Sequence, residues 1–133
     1  MKITERVIRL SQTLEVGQLV TGIYKTGKYI GEITVVKEAN VVMRVLAVLK
    51  HPEQGDLHNP KSVDVGFFHE RRALAHREQV NIQPVYVKPY TDDVPSYEES
   101  LRKALDEQIQ KLNEDGSPFA LKSLEMLQSI YGV

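Results

Sequence analysis

The histidines and carboxylates that could hold a metal gather in the middle of the chain. His51, Glu53, Asp56 and His58 fall within eight residues of one another, and neutral imidazole with carboxylate is an ordinary nitrogen–oxygen ligand set. The two histidines, however, are seven apart in a stretch punctuated by Pro52, Gly55 and Pro60. A catalytic zinc needs three ligands in fixed geometry, so the pattern reads as a solvated loop with local hydrogen bonds. His69-Glu70 followed by His76 departs from the H-E-x-x-H zinc motif, because Ala73 stands where the second histidine is needed. No serine sits in a G-x-S-x-G elbow, and neither glycine-rich phosphate loop is present. The chain has no cysteine, which excludes disulfides, thiolate nucleophiles, cysteine-ligated zinc and iron–sulfur clusters. These residues point away from catalysis, and no metal, cofactor or small-molecule substrate is expected.

Recognition fits them better. HPEQGDLHNP (His51 to Pro60), VDVGFFHERRALAHRE (Val63 to Glu78) and VYVKPY (Val85 to Tyr90) concentrate histidine, Phe67-Phe68 and Arg71-Arg72 in one loop-rich segment. Loops on a rigid scaffold are where binding groups tend to sit. One alternative is a nucleic-acid-binding β-barrel. Arg71, Arg72, Arg77 and Lys88 would neutralise phosphates there, and Phe67, Phe68, Tyr24 or Tyr86 would stack on bases. A net charge of −1 lacks the basic footprint of such a module. Phe68-His69-Glu70-Arg71-Arg72 also resembles the H-E-x-[RK] core of the phospho-accepting box of sensor histidine kinases. Ala73 and Leu74 replace its threonine–proline continuation.

The elements that must carry this segment follow from pattern. A chain of 133 residues with 41% apolar content can bury a core without staples. Gln18 to Tyr24 and Lys28 to Val36, joined through Lys25-Thr26-Gly27, read as a hairpin. Asn40 to Lys50 reads as a third strand, with Val41, Met43, Val45, Ala47 and Leu49 on one face. Arg72 to Glu78 and Ile82 to Lys88 are the remaining strand candidates, the second interrupted by Pro84. Short strands and small turns favour a mainly β fold with C-terminal helices. The specific expectation is a small SH3-like β-barrel followed by an α-helical hairpin, with an OB-type barrel as the alternative.

Composition changes near Tyr90–Pro95. Residues 1–91 carry 13 Lys/Arg against 9 Asp/Glu, net +4, and residues 92–133 carry 4 against 9, net −5. This divides the chain into a barrel domain with an N-terminal extension (1–91) and a helical pair (92–133). Ser96 and Glu99 form a capping box, followed by a stripe of Tyr97, Leu101, Leu105, Ile109 and Leu112. Asn113 to Gly116 stops that helix, and Ser117-Pro118 starts a second with Ala120, Leu124, Leu127 and Tyr131 inward. The opening MKITERVIRLSQTLEVG has no signal-peptide core, and no apolar run approaches the roughly 18 residues of a membrane span. A cytoplasmic location without membrane insertion is expected.

Several blocks together are similar to the kinase-associated protein B family of spore-forming Gram-positive bacteria. They are Gly17 to Ile33 (GQLVTGIYKTGKYIGEI), HPEQGDLHNP, FFHERRALAHREQ, VKPY and the tail ESLRKA…LNEDG. The similarity runs from about Val16 to Ser129. The resemblance implies an activator of a membrane-bound sensor histidine kinase that feeds the phosphorelay initiating sporulation. It also implies an SH3-like barrel followed by helices, and it carries over no catalytic residue. The family is sometimes called a lipoprotein, yet no cysteine is present here for a thioether-linked lipid; recruitment to the membrane would then fall to the kinase. On this reading the partner-binding residues are His51, His58, Phe68, His69, Glu70, Arg71 and Arg72.

Overall fold

Lys25-Thr26 is a two-residue turn, because Tyr24 pairs directly with Gly27 across it. Lys25 takes a positive φ of 54°, the conformation that lets a short turn follow the twist of its strands. The computed structural model describes residues 14–55, 61–63 and 68–133. The turn joins β1 (Leu19–Tyr24) to β2 (Gly27–Val36), which pairs antiparallel with β3 (Val41–Lys50). β4 (Gln79–Ile82) adds to the far side of β3, and β5 (Val87–Pro89) adds to β1. The order across the sheet is β4-β3-β2-β1-β5.

Three register shifts interrupt the β2–β3 ladder. Each extra residue bends a strand and reverses its side-chain alternation. The apolar face expected of β3 therefore holds as far as Ala47. Beyond it Val48 turns inward and Leu49 lies exposed. Met43 sits over two glycines that leave it room: a Cβ on Gly22 would lie 2.9 Å from its sulfur, and one on Gly31 would collide with its Cγ.

The expected SH3-like barrel does not form, nor does the OB-type alternative. The sheet is open, and among the described residues no ladder joins β4 to β5. Closure needed long strands over Arg72 to Glu78 and Ile82 to Lys88, and neither exists. The first is irregular chain and a turn in which Arg77 has φ 72°. The second is broken by a 3-10 turn at Pro84–Tyr86, leaving β5 three residues that end in Pro89. Proline has no N–H to offer a further strand. Short edges of this kind also resist adventitious pairing.

Two helices follow, α1 (Tyr97–Asp115) and α2 (Pro118–Tyr131). Ser96 and Ser117 cap them, accepting from the amides of Glu99 and Ala120 at 3.1 Å each. Gly116 and Gly132 end them in the left-handed conformation that glycine adopts at no steric cost. The buried face of α1 centres on Ser100, Ala104, Leu105 and Leu112, while Leu101 and Ile109 of the expected stripe are half-buried. α1 bridges two cores. Ala104 packs with Val20, Ile33, Met43 and Val45 of the sheet, and Leu105 packs with Phe119, Ala120 and Leu127 of α2. Ser100 ties helix to sheet, its Oγ accepting from the Val48 amide at 2.9 Å and donating to the Tyr97 carbonyl at 2.7 Å.

Gly31→Ala tests how tightly the sheet closes on Met43. The new Cβ would also stand 2.7 Å from the Arg44 carbonyl oxygen, a backbone atom that cannot rotate away. Overpacking of this kind costs about 1–3 kcal/mol. It should lower the urea midpoint without changing the m-value.

Candidate functional site

Over residues 68–76 the segment carrying the recognition residues is a strap that pairs with no strand among the described residues. Buried backbone groups need partners, and here side chains supply them. Gln54 grips Arg71 from both sides, its Nε2 donating to the Arg71 carbonyl at 2.9 Å and its Oε1 accepting the Arg71 amide at 2.8 Å. The Gly55 amide donates to the His69 carbonyl at 2.9 Å. Three phenols take the next two residues. Tyr131 accepts the Ala73 amide at 3.0 Å, Tyr29 accepts the Leu74 amide at 3.2 Å, and Tyr97 donates to the Leu74 carbonyl. The strap closes where Glu78 accepts from the Ala75 amide at 2.8 Å and Arg77 rejoins β3 at Val45.

Beneath the strap, His51 is 1% exposed. Its Nδ1 lies 2.8 Å from the Pro52 carbonyl, and its Nε2 lies 2.8 Å from the Tyr131 hydroxyl. A carbonyl only accepts, so in the neutral ring Nδ1 carries the proton and Nε2 accepts from Tyr131. The Tyr131 oxygen then receives the Ala73 amide, completing a chain with no unmatched donor. Burial lowers the His51 pKa below 6.5, opposed by its contacts with Pro52 and Gln108. Burial also raises the hydroxyl of Tyr131, against the Ala73 amide and nearby Arg72. It pushes Tyr29 and Tyr97 up to about 12.

Of the residues singled out from sequence, Phe68 is half-buried and meets Phe119 with ring centroids 6.1 Å apart. It packs against the second core. His69 and Arg71 are half-buried, and Glu70 and Arg72 are exposed. His58 and Asp56 lie outside the described residues, as does Phe67. His51 braces the site from within, and both its nitrogens are engaged, so it is not presented as a metal ligand. Among the described residues no group of three or more His, Cys, Asp or Glu could hold an ion.

Two clefts flank this arrangement. One, of about 190 Å³, lies between the β1–β2 turn and the strap, lined by Tyr24, Lys25, Tyr29, Glu70, Arg71 and Arg72 among others. The other, of about 210 Å³, lies between residues 50–54 and the helices. Gln108 lines it and donates to the carbonyls of His51 and Pro52 at 3.1 and 3.2 Å. Sequence reasoning missed Gln54, Gln108 and the tyrosine clamp. Only Tyr131 and Tyr97 carried a signal, as inward positions on their helices, and nothing showed where their hydroxyls would go. Among the described residues no helix is long and apolar enough to cross a membrane.

Comparison with known proteins is consistent across sequence and structure. A family model described as kinase associated protein B matches residues 24–132. Kinase-associated lipoprotein B of Bacillus subtilis (strain 168) is 56% identical over 115 residues, covering 86% of this chain and 90% of that protein. The crystal structure of kinase-associated protein B from Bacillus cereus superposes with a TM-score of 0.74 at 48% identity. That match covers 90% of this chain and 99% of the other.

Tyr131→Phe leaves the Ala73 amide and His51 Nε2 unpaired and should destabilise by about 1–3 kcal/mol, read by urea unfolding. The pH profile has two limbs. Native His51 resists protonation, so its contribution is full above pH 6.5 and is lost as pH falls below 6.5 towards its lower folded value. His51→Gln should flatten that limb. Tyr29 and Tyr97 resist ionisation, so their contribution is full below pH 10.0 and is lost as pH rises from there to about 12. Ultraviolet titration of phenolate should find these two hydroxyls ionising last.

Proposed function

The chain belongs to the kinase-associated protein B family, and from that premise we propose that it acts by binding rather than catalysis. In this reading it is an accessory protein that activates a sensor histidine kinase in the relay initiating sporulation. The observation that carries the reading is the strap. Its backbone is fixed by Gln54, Tyr29, Tyr97 and Tyr131 while Glu70 and Arg72 face outward. A rigid backbone presenting exposed charge gives up little entropy on binding, which favours affinity.

Activation follows if this face binds one kinase conformation better than another. A twentyfold shift needs about 1.8 kcal/mol of differential affinity, within the usual coupling range. Glu70 and Arg72 make the direct contacts, with His69 and Arg71 beside them and His51 and Phe68 as supports. Residues 92–133 serve as the platform that braces the strap rather than as a second binding module. The kinase supplies the membrane attachment.

The test mixes the purified protein with the cytosolic portion of the kinase and its response regulator, and follows labelled phosphate. Transfer should accelerate saturably with added protein. Arg72 makes no hydrogen bond or ion pair among the described residues, so Arg72→Glu should abolish the acceleration while circular dichroism and Tm stay unchanged. Full acceleration by that variant would remove the strap from the interface. No binding and no rate change with the unaltered protein would end the proposal of direct activation.

A further inference from the structure

We propose that the cleft between the β1–β2 turn and the strap is an oxyanion site that takes a phosphate monoester dianion. Among the described residues, Lys25, Arg71 and Arg72 line it together with one carboxylate, that of Glu70, a local balance of three cations to one anion. Among the described residues no carboxylate forms an ion pair with any of the three cations. A carboxylate ligand would leave this balance half neutralised, whereas a phosphate monoester carries about −1.5 to −2 at neutral pH and matches it.

Arg71 is the organising group. Its backbone is clamped on both sides by Gln54, and its Nη2 donates to the Gly55 carbonyl at 3.1 Å. Its Nε is shielded from solvent and has no acceptor among the described residues. Among these residues Gly55 takes one N–H of this guanidinium, and the rest of its fork of donors has no acceptor there. An unmatched buried donor on a charged group is costly, and an oxyanion accepting from the fork relieves that cost. Lys25 is held over the Tyr24 ring, 5.6 Å from its centroid, which limits the freedom it must lose on closing over a ligand. Arg72 completes the ring of charge from the exposed side.

The inference concerns binding by this chain alone and stands whether or not a kinase is the partner. The ligand could be free phosphate or a phosphoryl group esterified to a larger molecule, and the two are separable. The isotope-labelled protein is titrated with inorganic phosphate, phenyl phosphate and acetate at constant ionic strength, following amide and guanidinium resonances. Saturable shifts centred on Lys25, Arg71 and Arg72 are expected with phosphate or phenyl phosphate, and little with acetate. Tighter binding of phenyl phosphate marks an ester on a larger molecule; equal affinities mark the free ion. Lys25→Gln and Arg72→Gln remove no side-chain hydrogen bond among the described residues and should each weaken binding about tenfold. Shifts that fail to saturate, that persist in both variants, or that acetate reproduces at equal affinity would overturn the proposal.

Discussion

Everything near the candidate site depends on how the backbone of residues 69–75 finds its hydrogen bonds. Strands satisfy their amides by laddering, but among the described residues this ribbon ladders with no strand. It borrows donors and acceptors from Gln54 and Gly55 after β3, from Tyr29 on β2, from Tyr97 at the start of α1 and from Tyr131 at the end of α2. Each bond is worth about 1 kcal/mol net, but leaving its backbone partner buried and unpaired costs up to about 3. The requirement therefore acts on the whole fold. α1 must begin, and α2 must end, where their tyrosines meet the ribbon. The Ser100 bond to Val48 and the burial of Ala104 fix α1 against β3 in a position that permits this.

Much of the frame was legible because local rules decided it. The β1–β2 turn, the alternation of β3 up to Ala47, both serine caps and the Gly116 stop follow from residue types at fixed offsets. The barrel was not legible, because closure is a property of strands that would have to form far along the chain. Arg72 to Glu78 has apolar residues at Ala73 and Leu74, close enough to a strand pattern to be read as one. Three phenols distant in sequence take its polar groups instead, and no spacing within the segment reveals that. The bulges in the β2–β3 ladder were hidden for a similar reason, since Leu49 fits the alternation until an extra residue reverses it.

The recognition residues divide along the same line. Side-chain type marked the segment as unusual, yet type does not separate a contact from its support. His51 and Arg72 looked alike as polar residues in loops. Burial separates them, at 1% exposure for His51 against an open position for Arg72. Gln54 was invisible because glutamine is ordinary on a surface, and only its two-sided grip on Arg71 gives it a role.

Charge is partitioned in a way that links the fold to its recognition chemistry. The first 91 residues carry a net +4 and the last 42 a net −5, which invites ion pairs between sheet and helices. Among the described residues no Lys or Arg of one part pairs with a carboxylate of the other; Arg44–Glu32, Lys50–Glu53 and Lys122–Glu125 each stay within their part. The two parts are joined instead by neutral groups: the Ser100 hydroxyl, the Gln108 amide, the phenols of Tyr97 and Tyr131, and uncharged His51. Neutral bonds avoid the desolvation penalty that makes buried ion pairs poor stabilisers, and added salt does not screen them as it screens surface charges. The positive side chains beside the strap are thus not consumed in holding the molecule together. Salt should leave the docking of helices on the sheet intact while weakening whatever Lys25 and Arg72 attract, so the architecture and its recognition answer to different physical controls.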